Sequence, residues 1–234
     1  MVHLIAINIC LVSPAFDAAA IPLSWSLCPT ESHSTLQWNK EKSYRLMALE
    51  EKALSRGYGH PHCTVAQLCI RLTDMDEVRE KVRQIWLEER EASDNKATLC
   101  LSGLEEGPAF DTTVGGTAIH LPNIKIILSE PLRKLHEKII HAICQYHVPM
   151  ETLEMAKAAF HPSFPPDSAV AVEWVNDYLT KYALDSYNPH ITLGATPAKA
   201  TASTAFKTTL VSWRECRLVV SRMGNYCSCF EIQE

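Results

Sequence analysis

The pattern Pro-His-x-Thr occurs twice in this chain, as Pro61-His62-Cys63-Thr64 and as Pro189-His190-Ile191-Thr192. Each copy follows a Tyr-bearing loop and enters an apolar run. From the Pro, His and Thr content, chance supplies roughly 0.04 such patterns in a chain of this length. The duplication therefore constrains the fold to two comparable, strand-bearing halves. Residues i and i+2 of a strand share a face, so His62 is presented with Thr64 and His190 with Thr192. Cys63 and Ile191 turn the other way, into packing. If the two strands face each other, two imidazoles and two hydroxyls converge on one groove.

The rest of the chain alternates helices and strands. Helical spacing runs over 35–56 and is closed by Gly57, followed by a strand over 62–72 and a charged amphipathic helix from Asp76 to about Ala92. Strands are predicted over 97–104 and 119–129. A helix opens at Pro131 and buries Leu132, Leu135, Ile139 and Ile143. That helix runs to about His147; the proline-rich loop at 161–167 cannot continue a helix, and Asp167 or Ser168 caps a further one through Val172, Val175 and Leu179. Strands over 190–194, 207–221 and 226–232, with an Ala/Thr-rich loop at 195–205, complete the order. Ile21–Cys28 reads as a short strand ended by Pro29. This is a mixed α+β succession, not a doubly wound parallel sheet. Residues 1–20 read as an N-terminal extension and 21–234 as one domain. Within the extension, the apolar run at 4–12 suits an added strand; as a signal-like segment ahead of Ala18–Ala20 it lacks a preceding Lys or Arg.

A net charge of -5 excludes a general nucleic-acid coat, which needs surplus cations to neutralise phosphates. Nine cysteines without a CxxC pair fit reduced, packed thiols of a cytoplasmic protein, with secretion the alternative if residues 1–20 act as a signal peptide. Charges interrupt every later apolar run, so no membrane partner is expected.

Two imidazoles and two hydroxyls suit the opening of a cyclic phosphodiester. One neutral ring takes a proton from water, the other gives one to the leaving sugar oxygen, and the hydroxyls donate to the non-bridging phosphate oxygens. No metal or other cofactor is required by this scheme. The paired H-x-T motifs resemble those of the 2H phosphoesterase superfamily, which includes cyclic phosphodiesterases and the proteins called 2′-5′ RNA ligases. The segments GHPHCTV and YNPHITLG are similar to the family's two active strands, and IPLSWSLCP to its first strand. The resemblance implies a bilobal α+β fold, with two pseudo-twofold-related antiparallel sheets and flanking helices around a central groove. It implies His62 and His190 as catalytic acid and base in either order, and Thr64 and Thr192 as phosphate-binding residues. The expected activity is metal-independent hydrolysis of 2′,3′-cyclic or related cyclic or 2′-5′ phosphodiesters by a monomer, on a small cyclic nucleotide or short RNA end. The alternative is a non-catalytic module that binds nucleotides or RNA ends in the same groove. The 128-residue separation of the motifs, long for the family, implies inserted loops.

Other residues carry weaker signals. Trp25, Tyr58 and Tyr187 are candidates to stack a base, or else core and loop filler. Lys125 is placed to meet a phosphate or to guard a strand edge. His60, two before His62, raises a metal alternative, yet no acidic ligand lies nearby. His136 and His141 are five apart rather than the four a zincin helix needs, which makes them surface or cap residues. Cys227 and Cys229 alternate along a strand as packing groups. Val114-Gly115-Gly116-Thr117 lacks the glycine spacing and lysine of a phosphate loop.

Overall fold

The computed structural model describes residues 3–28, 44–51, 56–93, 96–107, 109–110, 119–196 and 206–233. Its strands are β1 (Leu4–Val12), β2 (Arg45–Leu46), β3 (Tyr58–Gly59), β4 (Cys63–Arg71), β5 (Thr98–Glu105), β6 (Ala109–Phe110), β7 (Ile119–His120), β8 (Asn123–Ile127), β9 (His190–Thr192), β10 (Thr209–Ser212), β11 (Arg217–Gly224) and β12 (Ser228–Gln233). The helices are α1 (Pro14–Leu27), α2 (Met75–Ala92), α3 (Glu130–Ile143), α4 (Leu153–Ala159) and α5 (Ala169–Asp177), the last running into a π turn at Tyr178–Tyr182. Two four-stranded antiparallel sheets organise them, in the orders β12-β11-β1-β4 and β10-β5-β8-β9. Each sheet ends on the strand that carries one of the duplicated motifs. The chain is thus mixed α+β, as the sequence order implies.

One hydrophobic cluster underlies both sheets. It joins Ile5, Ile7, Ile9 and Leu11 of β1 to Leu99 and Leu101 of β5, Ile124 and Ile126 of β8, and the inner stripes of α2 and α3. The opposite face of the first sheet packs α4 and α5 through Ala6, Cys69, Met223, Phe160, Val172 and Val175. Being covered on both faces, β1 reads as a nearly continuous apolar run. All nine cysteines are free thiols, and Cys63 is fully buried in the larger cluster together with Ile191.

The register of β4 contains a β-bulge. Ile9 pairs with Ala66 but Cys10 pairs with Thr64, so Val65 is an extra residue. Strict alternation would put Thr64 on the core side with Ala66, Leu68 and Ile70. The extra residue shifts the phase, and Thr64 instead shares the outer face with Gln67. Three side chains hold the bulge. The Val65 carbonyl accepts from His136 Nδ1 at 2.7 Å and Tyr178 Oη at 3.4 Å, and the Thr64 carbonyl accepts from Tyr187 Oη at 2.8 Å. His136 is fully buried and its ring stacks on Tyr187 at 3.8 Å, while its Nε2 accepts the Leu184 amide at 2.8 Å.

Several expectations need correction. Ile21–Cys28 belongs to α1 and is not a strand. Ser13 caps this helix by accepting the Ala15 amide, Pro14 occupies its first turn, and Phe16, Ala20 and Ser24 form its buried face. The strand reading of the apolar run at 4–12 holds: Leu4–Val12 is the first strand and lies inside a sheet, and α1 spans residue 20. Of the helix expected over 35–56, residues 44–51 and 56 are described, and Arg45–Leu46 is a strand parallel to Tyr58–Gly59; the rest lies outside the described residues, as do Pro29, Val114–Thr117 and most of the 195–205 loop. His136 is a core residue, not a surface or cap residue. Among the described residues no helix is long and apolar enough to cross a membrane.

Burial lowers the pKa of both His62 and His136 from 6.5 to about 4. An unfolded chain therefore binds more protons than the native one in this interval, and stability is complete above pH 6.5 and lost as pH falls towards 4. Urea denaturation is expected to give a lower midpoint at pH 5 than at pH 7. His136→Gln should lower the pH 7 midpoint and shrink that pH difference.

Candidate active site

A cavity of about 270 Å³ lies where the two motif strands meet, walled on its far side by α5 and the π turn. His62, Thr64, His190 and Thr192 all line it. The two pairs reach it differently. On β9, simple alternation turns His190 and Thr192 to one face, with Ile191 in the core. On β4 the Val65 bulge is needed to keep Thr64 on the cavity side.

The two imidazoles share one local arrangement. His62 Nδ1 donates to the His60 carbonyl at 2.8 Å, and His190 Nδ1 donates to the Asn188 carbonyl at 2.8 Å. A carbonyl only accepts, so Nδ1 carries the proton in both rings and a neutral ring keeps its lone pair on Nε2. The proline of each motif explains the repeat. Proline fixes its own φ and drives the preceding residue into extended backbone, which brings the carbonyl of residue i−2 to the histidine ring. The His60 peptide is anchored in turn by its amide, which donates to the Cys229 carbonyl at 2.8 Å.

Burial is the main influence on both rings. It takes His62 down to about 4, the His60 carbonyl opposing and the His190 ring reinforcing the shift. His190 is lowered by burial too, with the Asn188 carbonyl and the Glu105 carboxylate opposing. At neutral pH the ligand-free cavity thus holds two uncharged imidazoles.

Asn8, Gln67, Glu105 and Asn123, which the sequence reading passed over, lie beside these four residues together with Lys125, which it named. On the first sheet, Asn8 and Gln67 are cross-strand partners beside Thr64. On the second, Glu105, Asn123 and Thr192 form a row across three strands, and Lys125 pairs with His190. Lys125 Nζ meets Glu105 Oε1 at 2.7 Å, so its charge is committed there. The aromatic wall is Trp174, Tyr178, Tyr182 and Tyr226, with Trp174 and Tyr182 stacked at 4.0 Å. Trp174, Tyr178 and Tyr182 are four apart, and the wide winding of the π turn keeps the third in line with the others. The sequence did hold a signal for the polar members: Asn8, Gln67 and Asn123 each interrupt an otherwise apolar strand run.

The three aromatic candidates fare differently. Trp25 is 53% exposed on α1 under the Arg45 guanidinium, and neither it nor Tyr58 on β3 lines the cavity. Tyr187 is in the wall but gives one ring face to His136 and its hydroxyl to the Thr64 carbonyl. His60 is buried away from the lining. Among the described residues no group of three or more His, Cys, Asp or Glu side chains is placed to hold a metal ion. Neither a family model nor a curated protein matches the chain.

The shared carbonyl bond has a direct spectroscopic consequence. In ¹⁵N-imidazole NMR at pH 7.5, His62 and His190 are expected as neutral Nδ1–H tautomers, the minority form of free histidine. A dominant Nε2–H form at either ring would contradict the carbonyl contact there.

Proposed function

We propose that this protein is a metal-independent phosphodiesterase of the 2H type, opening a 2′,3′-cyclic or closely related phosphodiester on a small nucleotide or short RNA end. The observation that carries this reading is the convergence of both motif pairs on one small cavity, each imidazole in the same tautomer with Nε2 unengaged by its backbone partner. The finer architecture belongs to the same proposal: two lobes, each one sheet with its helices, related by a pseudo-twofold axis through the cavity.

In the reaction, His62 is the general base and His190 the general acid. Burial depresses both rings, but the Glu105 carboxylate favours a proton on His190, whereas the neighbouring His190 disfavours one on His62. Water gives a proton to His62 Nε2 as its oxygen bonds to phosphorus. The P–O bond to one ribose oxygen breaks, and that oxygen takes the proton from His190 Nε2. Thr64 and Thr192 donate to the non-bridging oxygens as charge builds there. Histidine to histidine, the net transfer of one proton is reset through solvent. Stacking on the Trp174 and Tyr226 wall suits a nucleobase. The described lining carries Glu105, Glu106 and Asp167 and neither Lys nor Arg, which suits one phosphodiester anion better than a chain of them.

Hydrolysis of 2′,3′-cyclic nucleotides in excess EDTA tests the reading. His62→Ala and His190→Ala are each expected to cost at least about a hundredfold in kcat. A nitrophenyl phosphodiester, whose leaving group needs no acid, should rescue His190→Ala and not His62→Ala. Turnover retained in both variants, or abolished by EDTA, would refute the mechanism; affinity without product would favour a binding module.

The pH profile follows from the same geometry. The active form holds one proton on the pair, and both rings of the free protein lie below 6.5. Accordingly, kcat/KM is expected to fall above about pH 6.5, approaching tenfold per unit. The limb for kcat should lie at higher pH, because a bound phosphodiester anion favours the imidazolium.

A further inference from the structure

Thr64 Oγ1 accepts two hydrogen bonds within the protein, from Asn8 Nδ2 at 3.3 Å and from Gln67 Nε2 at 3.4 Å. A hydroxyl has two acceptor sites and one proton. With both acceptor sites engaged, what remains to Thr64 is to donate, and its side chain lines the cavity.

The orientation of both amides is set by partners that allow one choice only. Trp174 Nε1, which can only donate, points at Gln67 Oε1 at 3.1 Å and so turns Gln67 Nε2 towards Thr64. The Cys227 carbonyl, which can only accept, takes Asn8 Nδ2 at 3.2 Å and turns that end of the amide into the same corner. Tyr226 and Cys227 hold positive φ angles of 58° and 54°, strained for residues other than glycine, in the turn that carries this carbonyl. Asn8 is fully buried, and among the described residues its Oδ1 has no hydrogen-bond partner. An amide held with its acceptor unsatisfied in the interior marks its donor end as the useful one.

We propose that Asn8, Gln67 and Trp174 are positioning residues that form a donor relay, fixing the Thr64 hydroxyl proton towards the cavity and making Thr64 a dedicated donor to an anionic phosphate oxygen. This rests on the reading of the cavity as a phosphodiester site, which it deepens by naming what orients one of the phosphate contacts. The relay has a defined failure mode. If Gln67 presents an oxygen instead of Nε2, Thr64 donates its proton to Gln67 and is lost to the ligand.

Two substitutions create that state by different routes. Trp174→Phe keeps the ring stack and removes the indole donor, freeing the Gln67 amide to rotate. Gln67→Glu keeps the shape and the Trp174 contact but replaces the amide donor with an ionised acceptor. Each is compared with Thr64→Val and with the corresponding double variant, using calorimetric affinity for inorganic phosphate alongside kcat and KM on a 2′,3′-cyclic nucleotide, after thermal melts confirm folding. We expect Trp174→Phe to weaken phosphate binding about threefold to tenfold and Gln67→Glu by about tenfold or more. In the Thr64→Val background, Trp174→Phe should have no further effect on phosphate binding, and Gln67→Glu should retain only its charge repulsion. Losses that add fully to that of Thr64→Val would overturn the relay, since a purely structural role acts whether or not the hydroxyl is present. Should Trp174→Phe fail to fold, the Gln67→Glu cycle decides alone, and equal losses in both backgrounds refute the relay. Relay-dependent phosphate binding without cyclic-nucleotide turnover would fault the catalytic reading and leave the relay standing. A wild type that binds no phosphate would overturn the relay outright.

Discussion

The geometry of the cavity depends on one extra residue in one strand. Were Val65 paired as a regular residue of the ladder, the alternation of β4 would turn Thr64, and His62 with it, to the core side with Ala66. A bulge leaves backbone groups outside the regular ladder, and those groups need partners. Here the partners come from three separate parts of the chain: His136 on α3, Tyr178 in the π turn and Tyr187 beside β9. The same contacts that satisfy the bulge therefore join the first motif strand to the second. His136 serves this purpose because a neutral imidazole offers a donor and an acceptor at opposite ends of a flat ring. It bridges the Val65 carbonyl and the Leu184 amide while stacking on Tyr187. A phenylalanine would fill the volume and leave both backbone groups unpaired in the interior, where each omission is costly.

Much of the site was legible in the sequence because it rests on repetition and on period-two alternation. The duplicated motif announces two strands, and on β9 alternation alone places His190, Ile191 and Thr192 correctly. The arrangement around β4 was legible only by analogy with β9, since nothing in the letters CTVAQ marks where a bulge falls. The start of the chain was misread for a related reason. Ile21–Cys28, ended by Pro29, reads as a short strand, but Ser13-Pro14 supplies a cap and first turn whose helix continues past Pro22. Asn8, Gln67 and Asn123 were visible as polar breaks in apolar runs. Their meaning depended on cross-strand register, which pairs Asn8 with Gln67 and Asn123 with Thr192 and cannot be read along one strand. The helix was read by its apolar positions Val172, Val175 and Leu179; Trp174 and Tyr182 come together only where it runs into the π turn.

The electrostatic character of the cavity follows from burial more than from charge. Its imidazoles are neutral because desolvation outweighs the carbonyl that each one faces. Lys125, the cross-strand partner of His190, is paired with Glu105. The polar groups at hand are then neutral dipoles: hydroxyls, amides and imidazole N–H groups. In a site largely removed from water such dipoles interact strongly with an anion and need little reorganisation to do so. On the proposed reading, the charge that stabilises an imidazolium comes from the ligand itself, so protonation and binding strengthen each other. A singly charged phosphodiester satisfies this arrangement with one proton. Each further phosphate would bring a negative charge that the described walls, with three carboxylates and no lysine or arginine, do not match. The scheme thus ties the catalytic proton to the substrate's charge: the ligand that recruits one proton to the pair is also the ligand whose leaving oxygen requires it.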